Sequence, residues 1–273
     1  MRRKEGFYVS APDMKTITRL LRVFFAFSIS FATPLCWAKE TVYVGGYVFP
    51  PFIEIEQEHV AGATIDLIAA FNELQSDYTF TFRETSPKRR YKDFTDQRFD
   101  MLMFESVHWG WKNYPVQASN VYMEGGEVYI AYNREGRDQR FFDDLRSRRM
   151  VGILGYHYSF ADFNADEDFL TKNYEILLSN NHDRNIRLIL LNRPELAEVG
   201  VVTESYLERF LTKNETVRDK ILKSDKMDQK YDHTILLRND HPSLKIAYIN
   251  QLLDAAKSDG VLEALRKKYS IRQ

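Results

Sequence analysis

Cysteine is almost missing. The 273 residues hold one, Cys36, and it falls within a leader-like stretch at the N-terminus. The remainder of the chain therefore has no disulfide staple, thiolate metal site or cysteine nucleophile to work with. The six histidines include no pair four residues apart and no His-Glu-x-x-His, which removes the common zinc patterns. Gly-x-Ser-x-Gly and Gly-x-Gly-x-x-Gly are also absent, so nothing points to a serine nucleophile elbow or a dinucleotide. No cofactor and no metal are expected. An excess of positive charge is lacking as well: the formal net charge is −1 and no basic stripe stands out, which argues against nucleic acid as a partner.

Long apolar runs are scarce too. The only extended one lies in residues 14–38, MKTITRLLRVFFAFSISFATPLCWA, with a basic start, an apolar stretch over 23–35 and the small Ala38 before Lys39. This layout is that of a secretory signal peptide, expected over residues 1–38, with Met1 and Met14 as alternative starts. Leu35 before Cys36 does not fit a lipidation site. Export to the periplasm as a soluble protein is the expectation, and the exported chain is long enough for two lobes.

What is present centres on residues 98–115, RFDMLMFESVHWGWKNYP. The almost unbroken apolar run 99–104 reads as a strand buried on both faces of a parallel sheet. Glu105, Ser106, His108, Trp109, Gly110, Trp111 and Lys112 follow it directly. In open α/β sheets ligands bind beyond the carboxyl ends of strands, so this cluster is a candidate cleft wall. The competing reading has the two indoles filling the sheet's rim and Glu105 paired with a nearby arginine.

Before this centre, residues 41–48 form a first strand that stops at Phe49, Pro50, Pro51 and Phe52, because proline cannot continue a ladder. Tyr47 and Phe49, just past it, are candidates for stacking on a ligand. Residues 62–74 place Leu67, Ile68, Phe71 and Leu74 on one helical stripe, and 78–82 alternate as a second strand, giving a crossover unit. Ser86 and Pro87 open another helix carrying Arg89 and Arg90, which point about 100° apart, so only one can face a cleft.

After the centre, Gly125 and Gly126 precede the apolar run 128–132, and Glu127 between them reads as a residue that pairs across a hinge. Residues 150–154 form a strand ended by Gly155, with Tyr156, His157 and Tyr158 starting a helix; backbone donors at such a turn favour an anionic group. A helix near 185–191 leaves Arg184 and Arg187 polar. A strand at 199–202 leads into Thr203 and Glu204. A strand at 234–237 is followed by a helix capped by Asp240 and a last helix capped by Ser258, ending near Tyr269.

The order of these phrases resembles the family 3 extracellular solute-binding proteins, periplasmic receptors that typically deliver polar amino acids to ABC importers. VYVGGYVFPPF, GATIDLIAAFNEL, RFDMLMFES, Tyr122 with the glycines before VYIAY, VGILGY and INQLLDAAKSDGVLEALRKKY carry the likeness over the whole exported chain. The resemblance implies an α/β, two-lobed periplasmic binding protein-like fold of type II. Two hinge strands, near 128–132 and 232–236, would join a first lobe (39–128 and 236–273) to a second (129–235), with the ligand between them. It also implies a monomer that passes a small polar, amino-acid-like solute to an ABC permease, with no catalysis. A sensory receptor of the same fold, or a dehydratase-like enzyme using Glu105 with Lys112 or His108, are the alternatives.

Three signatures of the resemblance are altered. The arginine that grips the ligand's α-carboxylate aligns with Lys112 or Trp111, the ammonium-binding aspartate aligns with Thr203 or Glu204, and the usual Ser or Thr of the turn is replaced by Tyr156, His157 and Tyr158. Either recognition is rebuilt with Arg89, Arg90, Glu105 and Arg184, or the ligand is not a standard amino acid. The candidate ligand contacts are thus Tyr47, Phe49, Arg89, Arg90, Glu105, Trp109, Trp111, Lys112, Gly155, Tyr156, Tyr158, Arg184, Thr203 and Glu204.

Overall fold

A computed structural model of the chain describes residues 39–272, together with Met1 and Gly6. The expected signal peptide, including Cys36, lies outside the described residues. No described helix is long and apolar enough to cross a membrane.

β1 (Glu40–Gly46) is the parallel neighbour of both β4 (Tyr78–Glu84) and β5 (Met101–Glu105), as a crossover through α1 (Ala63–Leu74) requires. The small hairpin β2 (Glu54–Glu56) and β3 (His59–Ala61) lies between β1 and α1 in the chain. α1 buries Leu67, Ile68 and Phe71, the stripe legible in the sequence. The short α2 (Arg90–Thr95) follows, and every residue of β5 is buried. β6 (Val116–Ala118) then leads into β7 (Met123–Tyr132).

The second half-sheet contains β8 (Met150–Ile153), β9 (Ile176–Ser179) and β10 (Val199–Thr203), with β8 parallel to both of the others. Helices α3 (Glu167–Asn173), α4 (His182–Leu190) and α5 (Glu204–Lys213) connect and cover these strands. β11 (Ile221–Arg238) is antiparallel to β7 along its first part and to β5 and β6 along its end, so it runs from one half-sheet into the other. The resulting path is β4-β1-β5-β11-β7-β10-β8-β9. α6 (Ile246–Ser258) and α7 (Val261–Tyr269) return to pack beside α1.

Several elements differ from the sequence reading. The strand expected at 234–237 is the end of β11, whose start (ILKSDKMDQK) reads as loop because charged residues interrupt any period of two; pairing with β7 holds it extended. Residues 156–163 form only a three-residue 3-10 turn, Ser159–Ala161, since Asp162 and Phe163 take positive φ of 52° and 59° and end it. Asp240 does not cap the next helix. Its carboxylate pairs with Arg238, and α6 begins six residues further on, at Ile246. α7 follows Gly260 in a left-handed conformation, so Ser258 lies inside α6 and caps nothing. α3 and β9 have no counterpart in the sequence reading.

A bulge at the end of β5 bears directly on function. Thr234 of β11 pairs with Glu105 while Leu236 pairs with Leu102, leaving one extra residue on β5. Phe104 absorbs it with φ of 54°, an uncommon conformation for a bulky residue. The bulge re-aims the side chain of Glu105.

Candidate functional site

On the β1 side, Glu105 collects donors. Trp111 Nε1 donates to Oε1 at 2.9 Å, Tyr47 OH donates to Oε2 at 3.2 Å, and Arg90 Nε stands 3.4 Å from Oε1. Burial pushes the carboxyl upward, and Arg90 with the two donors pulls it back. The Arg90 guanidinium also donates to Pro87 O at 2.5 Å and to Tyr91 OH at 2.7 Å, and it lies over the Tyr47 ring. Burial alone would lower the Arg90 pKa; Tyr47, Glu105 and Tyr91 beside it raise it. Arg90 therefore remains a cation with a counter-ion of its own.

On the opposite side, Glu127 of β7 faces Thr203 across the antiparallel register with β10. Thr203 Oγ1 and Tyr231 OH each donate to Glu127 Oε1 at 3.1 Å. Oε2 is buried without a partner, and so is the hydroxyl of Tyr156. Burial first, and the neighbouring Asp228 second, push the Glu127 carboxyl up to about 8.

The two sides meet around a cavity of about 20 Å3, room for roughly one water molecule. Tyr47, Phe49, Arg90 and Trp109 line it from one side, and Glu127, Gly155, Tyr156, His157 and Gln229 from the other. Phe49 is central: its ring lies 5.7 Å from Trp109 and 5.3 Å from Tyr156, both edge-on. Contacts close the rim. Lys88 pairs with Glu167 at 2.7 Å, Arg209 pairs with Glu54, and Tyr91 OH lies 3.0 Å from His157 Nε2. Gln229 bridges, its Oε1 3.5 Å from Trp109 Nε1 and its amide donating to His157 O.

Of the sequence candidates, Tyr47, Phe49, Arg90, Trp109, Gly155 and Tyr156 reach the cavity. Glu105 stands behind Arg90 as its counter-ion, and Thr203 stands behind Glu127. Trp111 is fully buried, packed on Tyr91 and Phe94. Tyr158 is fully buried beneath the turn, its hydroxyl accepting from Ile153 N at 2.6 Å. Arg89, Lys112 and Arg184 are exposed, and Arg89 pairs with Asp93. Glu204 faces Lys223 and Arg272.

Three lining residues escaped the sequence reading. Glu127 was legible as a lone charge heading an apolar run, a pattern that also suits a hinge. His157 stood in the altered turn. Gln229, in a polar stretch, carried no signal. Among the described residues no group of three His, Asp or Glu side chains could hold a metal ion.

The sequence model of the bacterial extracellular solute-binding proteins, family 3, matches residues 42–272. The chain belongs to this family. Among solved structures it is similar to a putative ABC transporter binding component from Wolinella succinogenes complexed with lysine (TM-score 0.67, 15% identity, 85% of this chain and 96% of that one). It is similar also to an ABC uptake transporter substrate-binding protein from Streptococcus pneumoniae with bound histidine (0.64, 17%, 84% and 92%). A third is an ancestral amino acid-binding protein, a precursor of cyclohexadienyl dehydratase (0.63, 19%, 84% and 94%). No curated protein matches. At these identities the likeness establishes the fold, the two-lobed α/β architecture of type II periplasmic binding proteins.

Proposed function

We propose that this solute-binding protein is a periplasmic receptor that closes on a small polar solute bearing an ammonium group and presents it to an ABC importer in the inner membrane. The first lobe comprises residues 39–128 and 236–273 and the second 129–235, with β7 and β11 as the hinge pair. The observation that carries the reading is Glu127: a buried carboxylate with one unpartnered oxygen, at a cavity walled by aromatic rings. An ammonium supplies both the counter-charge and the missing hydrogen bond. Bound lysine and bound histidine in two of the similar structures fit a solute of this size and charge. Admission requires the lobes to part, a hinge motion for which two long antiparallel strands are suited. No bond is made or broken, so binding and release are the whole activity.

The reading is tested by a thermal-shift screen of the purified protein against amino acids, amines, polyamines and small carboxylates. A ligand at 100 times its Kd adds about 2.7 kcal/mol to stability, a readable rise in Tm. A rise with one or more ammonium compounds is expected. Response to carboxylates alone, or to nothing, overturns the reading.

A further inference from the structure

We propose that the ligand of this receptor is a cationic amine without a carboxylate, its ammonium seated on Glu127 within the walls of Phe49, Trp109 and Tyr156; this rests on the function proposed above and narrows its ligand class.

The side chain in the cleft that suits an anion already faces a carboxylate of the protein's own. Arg90 is the cationic side chain at the cavity, and its guanidinium faces Glu105 and donates to Pro87 O and Tyr91 OH. Away from the cavity, Ser159 N and Phe160 N of the turn after β8 donate to the Asp228 carboxylate at 2.9 and 3.0 Å. Asp228 is anchored in turn by Tyr129 OH at 2.5 Å. Arg89, Lys112 and Arg184 are exposed and do not line the cavity.

Besides the Arg90 Nε donor, which has no hydrogen-bond partner, the side-chain groups left over at the cavity can accept. Glu127 Oε2 has no partner, and neither has the Tyr156 hydroxyl, which can accept as well as donate. A primary ammonium has three N–H donors and can satisfy both. With Arg90 neutralised by Glu105, the balance of formal charge at the cavity is negative once Glu127 is ionised. The ring faces of Phe49, Trp109 and Tyr156 attract a cation, whereas a carboxylate laid against them would lose its hydration for nothing. The carboxylate of an α-amino acid would compete with Glu105 for Arg90, and displacing Glu105 would leave a second buried carboxylate without its cation.

Matched pairs that differ only in the carboxylate isolate the point: agmatine with arginine, cadaverine with lysine, putrescine with ornithine, tyramine with tyrosine. Titration calorimetry of the purified protein is expected to give at least one pair in which the amine binds about 30-fold or more tightly than its amino acid. Glu127→Gln is expected to weaken that amine by about 30-fold, the scale of a lost buried charged hydrogen bond. Tyr156→Phe, a smaller perturbation of the fold, is expected to weaken it severalfold. If the amino acid of each responding pair binds as tightly as the amine or more so, the carboxylate-free assignment falls while the receptor reading stands. If Glu127→Gln folds and keeps wild-type affinity, or Tyr156→Phe does so where Glu127→Gln fails to fold, the seat is elsewhere and the proposal falls. If no member of any pair binds, the receptor reading falls and takes the proposal with it.

Discussion

Nε of Arg90 lies 3.4 Å from Oε1 of Glu105, with both side chains 2% exposed. Removing one partner of a buried pair strands the other without compensation, which typically costs about 3–5 kcal/mol. Glu105→Ala is expected to lose stability on that scale in urea denaturation, with an unchanged m-value. Glu105→Gln keeps an acceptor for Trp111 and Tyr47 and is expected to fold better. It also releases Arg90 from its counter-ion, so affinity for carboxylated ligands should rise relative to wild type. Calorimetry with one amine and its amino acid measures that change of preference directly.

Lys112 provides the contrast. The resemblance aligns it with the family's carboxylate-gripping arginine, yet its side chain is exposed and does not line the cavity. Lys112→Ala should leave both Tm and ligand affinity unchanged, whereas Trp111→Ala, at a fully buried position, should cost about 3–5 kcal/mol. Melting curves and titrations on the two variants, side by side, would separate alignment in sequence from position in space.

That contrast also shows where sequence reading stops. Periodicity and apolar runs report which side chains are buried, and they located β1, α1, β5, β8 and β10 well. They do not report what a buried polar group faces. Glu105 and Arg90 were both legible as candidates, but their pairing depends on the bulge at Phe104, which arises from the register of β5 with β11, two strands far apart in the chain. Glu127 and Thr203 became partners through the β7–β10 register, which sets a carboxylate of the neighbouring strand beside the end of β10. The first part of β11, the turn after Gly155 and the short polar α3 take their conformations from tertiary pairing and capping, such as Asp166 accepting from Phe169 N, rather than from local period.

Gly155 should act as the closing contact's gauge. Its φ is 78°, and a Cβ placed there would stand 2.8 Å from Cβ of Pro87, on the opposite side of the cleft. Gly155→Ala therefore strains the turn and wedges the rim open. Weaker ligand binding, by about tenfold, is expected from an obstructed closure of roughly 1.4 kcal/mol. Small-angle scattering with saturating ligand should show the variant less compact than wild type; equal compaction and equal affinity would remove Gly155 from the closing mechanism.

The carboxyl of Glu127, raised to about 8 by burial and by Asp228, sets two pH dependences of opposite sign. In the ligand-free protein it holds a proton that the unfolded chain has already released above its ordinary carboxylate range. The native state thus binds more protons between about pH 4.5 and 8, and this group's contribution to stability falls as pH rises through that window. Ligand binding runs the other way. A cationic amine needs the ionised carboxylate, so at pH 6 binding must first expel the proton, and affinity should rise by up to about tenfold per pH unit until pH 8. Asp228, Tyr231, Thr203 and Tyr156 surround the group, and of these only Asp228 is another carboxylate, held by Tyr129 OH and two backbone donors. His157, which also lines the cavity, is pushed down to about 4 by burial and Arg90 and stays neutral over this range. Glu127→Gln should flatten both profiles at once, which thermal melting and calorimetry at half-unit steps of pH would resolve. A Kd for the amine that is unchanged between pH 6 and 8 in the wild type would mean that Glu127 is already ionised in the free protein, or that the ammonium binds away from it.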